Sequence, residues 1–163
     1  MGDLKFYGNI AYDETPSAVT ATPSVELGSR RVWKGEEYVY CYNAGGAAIA
    51  TSVNLGVKLI TGCSGYSVAA TSITDTVNPC VGVVKHAQIG AASYGWVMVK
   101  GFATVSVVTA LTADYGALAL GVDGKFISQS DTSVAGTAAV CAYALNANTG
   151  AGGSVYAFVK TGF

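Results

Sequence analysis

Charge is what this sequence has least of. Of its 163 residues only 12% are charged, against about 25% in an ordinary soluble domain. With 51% apolar residues, the chain is the opposite of an intrinsically disordered one, which combines low hydrophobicity with high charge. A long coiled coil, which needs Glu, Lys, Leu and Arg at heptad spacing, is excluded for the same reason. The net charge of -1 provides no basic footprint for nucleic acid and no attraction to an anionic membrane. Neither partner is expected. The longest apolar window, Trp96 to Leu111, is broken by Lys100 and falls short of the about 20 residues that span a bilayer. The opening MGDLKFYGNIAYDE carries Asp3, Lys5, Asp13 and Glu14, so it does not read as a secretory signal. Helical periodicity is also missing. No stretch of eleven or more residues sustains apolar positions at 3,4 spacing opposite a polar face, and a short helix is conceivable only at Ser17–Val25 or Ala110–Tyr115.

What is present is small and β-branched. Alanine (25), glycine (21), valine (21) and threonine (15) dominate. The glycines follow no three-residue period, which excludes collagen. Charge divides the chain: residues 1–43 hold ten of the nineteen charged side chains. All three prolines lie before residue 80, two of them inside TPSAVTATPSVELG. That stretch cannot be helical across its prolines and has too little apolar material for a core. Residues 1–28 are therefore read as an extended N-terminal arm and 29–163 as a compact body. In the body, strands are predicted at Val39–Tyr42, Val53–Ile60, Tyr66–Ile73, Val81–Ile89, Trp96–Val99, Phe102–Thr109, Ala117–Leu120, Phe126–Ser128, Ala138–Leu145 and Ser154–Val159. Asn43-Ala44-Gly45-Gly46 and Val122-Asp123-Gly124-Lys125 read as turns, the second as a hairpin. About ten short strands at this spacing predict an all-β barrel or sandwich.

Chemistry-bearing groups are few. Cys41, Cys63, Cys80 and Cys141 form no CxxC pair, and His86 is the lone histidine. No metal site is expected, and four free buried thiols are. His86 sits in VVKHAQI and reads as a surface-strand histidine. A Ser-His-Asp triad would have to use it, yet no Gly-x-Ser-x-Gly elbow presents a nucleophile. Glu36 and Glu37 are adjacent, so on a strand they point to opposite faces and cannot act as an acid–base pair. No phosphate loop, dinucleotide fingerprint, zincin or calcium-loop motif occurs. Neither an enzyme nor a cofactor is expected.

Aromatic residues are the more telling set. Tyr38, Tyr40 and Tyr42 alternate and share one strand face. They form either a platform for stacking sugars or an amphipathic face at a core edge or subunit contact. Arg30-Arg31, followed by Trp33, is too little for a nucleic-acid patch; an ion pair with Glu36 or Glu37, or with a partner, is expected. In the arm, Leu4, Phe6, Tyr7, Ile10 and Tyr12 are too apolar for a solvated tail. With Arg30, Arg31 and Trp33 they are the candidate partner-binding residues. A charge-poor surface resists association poorly, which suits a protein packed against neighbours.

Two stretches carry a resemblance. One runs Ser24-Val25-Glu26-Leu27-Gly28-Ser29-Arg30-Arg31-Val32-Trp33, then Gly35-Glu36-Glu37-Tyr38-Val39-Tyr40 and Asn43-Ala44-Gly45. The other is Cys80-Val81-Gly82-Val83-Val84 with Tyr94-Gly95-Trp96-Val97-Met98-Val99-Lys100-Gly101 and Ala103-Thr104-Val105, followed by the Asp-Gly hairpin. Over residues 24–128 this pattern resembles small capsid decoration (cement) proteins of tailed bacteriophages. The resemblance implies a non-enzymatic β-barrel, made in the host cytoplasm, that binds the outer capsid surface of the virion. It also implies a homotrimer that braces the major capsid protein against internal DNA pressure. The alternative is a carbohydrate-binding or host-adhesion β-module using Tyr38, Tyr40, Tyr42, Trp33 or Trp96. A coat subunit is a third reading, disfavoured by the small size and the lack of a long helix.

Overall fold

The computed structural model describes residues 10–11, 16–17, 19–50, 54–59, 66–70, 80–108, 110–111, 116–129, 140–148, 150 and 152–162. Over these the chain is all-β. Eleven strands follow in order: β1 Ile10–Ala11, β2 Arg30–Trp33, β3 Glu36–Asn43, β4 Gly56–Leu59, β5 Ser67–Ala70, β6 Cys80–Val83, β7 Ser93–Ser106, β8 Ala117–Leu120, β9 Phe126–Ser128, β10 Val140–Ala144 and β11 Ser154–Lys160. They form one sheet in the order β1-β2-β3-β5-β4-β6-β7-β11-β10-β8-β9, and a further pairing of β3 with β7 closes part of it on itself. Closure makes a five-stranded barrel of β3, β5, β4, β6 and β7.

The rest of the sheet also returns to the end of β7. After β7 it runs through β11, β10, β8 and β9 until Val107, the residue following β7, bridges Phe126 of β9. The main-chain N–H of Val108 donates to the Phe126 carbonyl at 2.9 Å. Two barrel-like halves thus share β7. Its first part pairs with β3 from Asn43↔Ser93 to Glu37↔Lys100, and its second part pairs with β11 from Lys160↔Lys100 to Ser154↔Ser106. Trp96–Val99 and the first part of Phe102–Thr109, expected as separate strands, are therefore parts of one strand, which ends at Ser106; Thr109 lies outside the described residues. What looked like a break, Lys100-Gly101, is a bend within it. Gly101 has φ 146, and the register against β3 slips between Glu37 and Tyr38 at this point. A Cβ at Gly101 would stand 2.8 Å from Glu36 Cγ, so glycine is needed both for the bend and for the close approach.

The two cores differ in composition. Val39, Cys41, Ile49, Val57, Val68, Val81, Val84, Ile89, Val97 and Val99 fill the first. Ala103, Val105, Leu118, Leu120, Phe126, Ala142, Ala144, Val155, Ala157 and Val159 fill the second, together with Tyr38, Cys80, Val83, Met98 and Cys141. Strand alternation explains the inward set: in β11 the burial runs exposed, buried, exposed, buried along Ser154-Val155-Tyr156-Ala157, as period-2 side chains require.

Turns follow from residue chemistry. β8 and β9 are joined through a one-turn segment at Val122–Gly124 in which Asp123 (φ 52) and Gly124 (φ 71) are both left-handed. This is the expected Asp-Gly hairpin. A second tight hairpin, β2–β3, turns on Lys34 (φ 49) and Gly35 (φ 80) between paired Trp33 and Glu36. It was not expected, although a Lys-Gly pair between VW and EE supplies the needed glycine at the second position. The expected strand Val81–Ile89 ends at Val83; Ile89 instead makes an isolated bridge to Ile49. No helix is found at Ser17–Val25 over its described residues, while residues 112–115 lie outside the described set.

Candidate interaction surface

The outer face of β3 carries the tyrosines singled out by their alternation, and two of the three are covered. Tyr38 and Tyr40 are buried and Tyr42 is half-buried. Tyr40 lies opposite Trp96 of β7, with ring centroids 5.1 Å apart, and Tyr42 lies opposite Tyr94 at 4.7 Å. Across this aromatic ladder runs the chain's own segment before β2. Thr20 exchanges main-chain hydrogen bonds with Tyr94 at 3.2 and 2.8 Å, and the Gly28 N–H donates to the Tyr40 carbonyl at 2.9 Å. The Ser24 N–H and hydroxyl both reach the Tyr40 hydroxyl, at 3.2 and 3.1 Å, and Thr20 Oγ1 lies 3.2 Å from it. Tyr66 lies against Gly28 so closely that a Cβ there would fall 2.0 Å from its ring. Tyr40 is thus covered by the chain itself, while Tyr42, Tyr94 and Trp96 stay half-buried.

At the other end of β3 a polar cluster forms. The Tyr38 hydroxyl donates to Glu36 Oε2, and Lys85 is ion-paired with Glu36 Oε1. His86 Nε2 lies 2.7 Å from the Tyr38 hydroxyl. Because that hydroxyl spends its one proton on Glu36, the histidine must be the donor, which places its proton on Nε2. Trp33 meets the His86 ring edge-on at 5.0 Å, and Lys34 Nζ sits 4.6 Å over the Trp33 ring. Burial lowers the pKa of His86, with Lys85 adding to the effect. Burial and the Glu36 carboxylate together raise that of Tyr38. His86 is thus not the surface-strand residue expected. It lies in the loop after β6, packed between Tyr38 and Trp33. Glu37 points away from Glu36 and pairs with Lys100 at 2.6 Å, so the two carboxylates are separated as their alternation requires. Lys85 and Lys100 hold the two carboxylates.

The candidate partner-binding residues divide as follows. Arg30 is exposed on β2; Arg31 is buried, with its guanidinium 5.6 Å from the Trp96 ring; Trp33 packs against the second core. Ile10 lies in β1, paired in parallel with Arg31 of β2. Leu4, Phe6, Tyr7 and Tyr12 lie outside the described residues. Cys41, Cys80 and Cys141 are free and buried, and Cys63 lies outside the described residues. Burial pushes the Cys41 thiol up to about 12. A hydrogen bond with Cys141, added to burial, also pushes Cys80 up, which leaves these sulfurs poor nucleophiles.

Reasoning from sequence missed two things. Asn43 is fully buried, and its Nδ2 donates to the carbonyls of Ala47 (2.9 Å), Ile89 (3.1 Å) and Gly90 (2.9 Å), while its Oδ1 accepts from the Gly45 N–H (3.0 Å). It was read only as a turn residue. The other is a bare aromatic face on the second half. Across β7, β11 and β10 the register aligns Phe102, Phe158 and Tyr143 in one row, with Tyr156 in the next. Phe102 is 45% exposed, Tyr143 45% and Tyr156 48%. The Phe102 ring is 5.7 Å from Tyr156 and 5.0 Å from Phe158. The signal was available in the alternation Tyr156-Ala157-Phe158, small residue in and aromatic out.

No protein-family model matches this sequence, and no curated protein matches it. Among solved structures the chain is similar to the N base of the head fiber gp8.5 of bacteriophage phi29. The identity is 15% and the TM-score 0.46, over 76% of this chain and 94% of that one.

Proposed function

We propose that this chain is a structural virion protein that binds the outer surface of a phage capsid and stabilises it, acting as a homotrimer and without catalysis. The observation that carries the reading is where the residues of the sequence resemblance fall. Gly35–Tyr40, Cys80–Val83, Tyr94–Gly101 and the Asp123-Gly124 turn build β3, β6, β7 and the β8–β9 hairpin. These are the frame of the body. Gly82 faces the β7 backbone, where a Cβ would stand 2.2 Å from the Met98 carbonyl oxygen, and a Cβ on Gly95 would stand 2.7 Å from Ile89 Cγ1. The matched glycines are thus demanded by packing, which supports a shared architecture over chance composition. The polar cluster at Glu36, Tyr38, Lys85 and His86 is spent on tying β3 to the loop after β6, which supports an assembly role over a chemical one.

The test is co-sedimentation with heads of the parent phage that lack this protein. The full chain is expected to pellet with heads and to raise their resistance to heat. The capsid contacts are proposed to include the arm residues Leu4, Phe6, Tyr7, Ile10 and Tyr12. Deleting residues 1–9 should weaken decoration and leave the body folded. The cut stops there because Ile10 and Ala11 pair with β2, and Thr20, Ser24 and Gly28 are bonded to the body. Binding to host cells or glycans with no binding to heads would instead support the adhesion module.

A further inference from the structure

We propose that the aromatic face of β7, β11 and β10 is where a second copy of this chain packs. The inference rests on the assembly reading and names the surface that serves it. Outward-facing positions on these strands run Lys100, Phe102 and Thr104 on β7, and Ser154, Tyr156, Phe158 and Lys160 on β11. Val140 and Tyr143 follow on β10. Phe102, Val140, Tyr143 and Tyr156 are the exposed large apolar residues here. An aromatic side chain presents roughly 150–250 Å² when fully open. Half-exposed Phe102, Tyr143 and Tyr156 therefore leave roughly 300 Å² of contiguous aromatic surface, within the range of the largest patch on a typical monomer, which is often functional. It also suffices as the centre of an interface of about 800 Å² per partner, with the polar strand ends as its rim.

Charge identifies the occupant. The only charged residues among these outward positions are Lys100 and Lys160, paired across β7 and β11 at one end of the face, and Lys100 is already neutralised by Glu37. A face with no central charge does not repel its own copy, and it offers nothing to select a highly charged partner. The Phe102 ring is nearly parallel to that of Tyr156, at 13°, and tilted 54° to that of Phe158, so the rings form one aromatic cluster. The chain also shows how it treats such a face elsewhere. The matching aromatic ladder on β3 is covered by its own residues 19–28, and no described segment performs that service for β11.

The experiment is sedimentation velocity of the full chain, without heads, over a micromolar concentration series. Wild type is expected to sediment as an oligomer. Tyr156→Glu should weaken self-association by about 30-fold, the loss expected of an interface hot spot, with an unchanged circular dichroism spectrum. Phe102→Ser should act in the same direction, and Val25→Glu, an exposed apolar position off this face, should have no effect. A wild type that stays monomeric, or Tyr156→Glu with the wild-type mass, overturns the proposal. So does a Tyr156→Glu protein that remains oligomeric but loses head or polysaccharide binding, since the face would then belong to that partner. Head binding is measured separately, so a failure of the capsid reading leaves the self-association result standing.

Discussion

The two halves that share β7 solve the same problem differently. In the first, the barrel is closed by continuous pairing of β3 with β7, and its core is almost entirely valine and isoleucine. In the second, closure comes down to the Val107–Phe126 bridge, and Leu118, Leu120 and Phe126 share the core with alanines. β-Branched residues suit a tight barrel because their stiff χ1 packs against a pleated wall. Long side chains opposite alanine suit a curved sheet that closes loosely. The outer faces differ as well. Aromatic residues line both, but the first half has Thr20, Ser24 and Gly28 laid over Tyr40, whereas Phe102, Tyr143 and Tyr156 of the second remain in solvent. Aromatic outer faces are thus a common device of this chain, and what distinguishes them is whether its own backbone covers them.

Substitution at the tightest point of the first barrel should produce the largest effect. Gly82→Val places a side chain where a Cβ alone would be 2.2 Å from a β7 carbonyl. Backbone cannot yield as a flexible side chain can, so a loss of more than about 4 kcal/mol, or failure to fold, is expected. Gly46→Ala, with open space around it, should change stability by less than about 0.5 kcal/mol. Urea unfolding of the two variants checks the contrast.

Next in size is the core of the second half. Leu118→Ala should cost about 2–5 kcal/mol. Because β7 belongs to both halves, the loss should appear equally in the amide-exchange protection of β4, in the first half, and of β10, in the second, across a urea series. Two separated transitions would show that the halves unfold independently and that β7 does not couple them.

Tyr40→Phe removes the hydroxyl that holds Ser24 and Thr20 while keeping the ring. About 0.5–1.5 kcal/mol is expected, with faster proteolytic cleavage within residues 16–28 and no change in the second half. Limited proteolysis with mass spectrometry reads both.

The smallest effect concerns His86. Its folded pKa lies below the ordinary value of 6.5, so on acidification the unfolded chain takes up this proton first. Stability from this group is fully present above the unfolded pKa and is lost as pH falls through the folded one. Thermal unfolding between pH 7.5 and 5 should show a decline on the acid side that is shallower in His86→Gln. An identical decline in the variant would place the acid sensitivity elsewhere.

Residue chemistry determined the all-β class, because valine, threonine and aromatic alternation without helical spacing permits little else. It also determined the strands β8 and β9 to the residue and the Asp123-Gly124 turn between them, since two left-handed residues in a row need that chemistry. The opposed directions of Glu36 and Glu37 follow from period 2 alone. Tertiary structure decided the rest. Lys100-Gly101 could end a strand or bend one, and only simultaneous pairing with β3 and β11 makes it a bend. The fate of an aromatic side chain is equally undetermined by its own alternation. Tyr40 and Tyr156 both sit on outward faces of amphipathic strands, yet Tyr40 is fully buried and Tyr156 is 48% exposed. Alternation sorts side chains between the two faces of a sheet. Which of those faces is then covered depends on contacts between residues far apart in the chain, such as Ser24 with Tyr40, and local pattern carries no record of them.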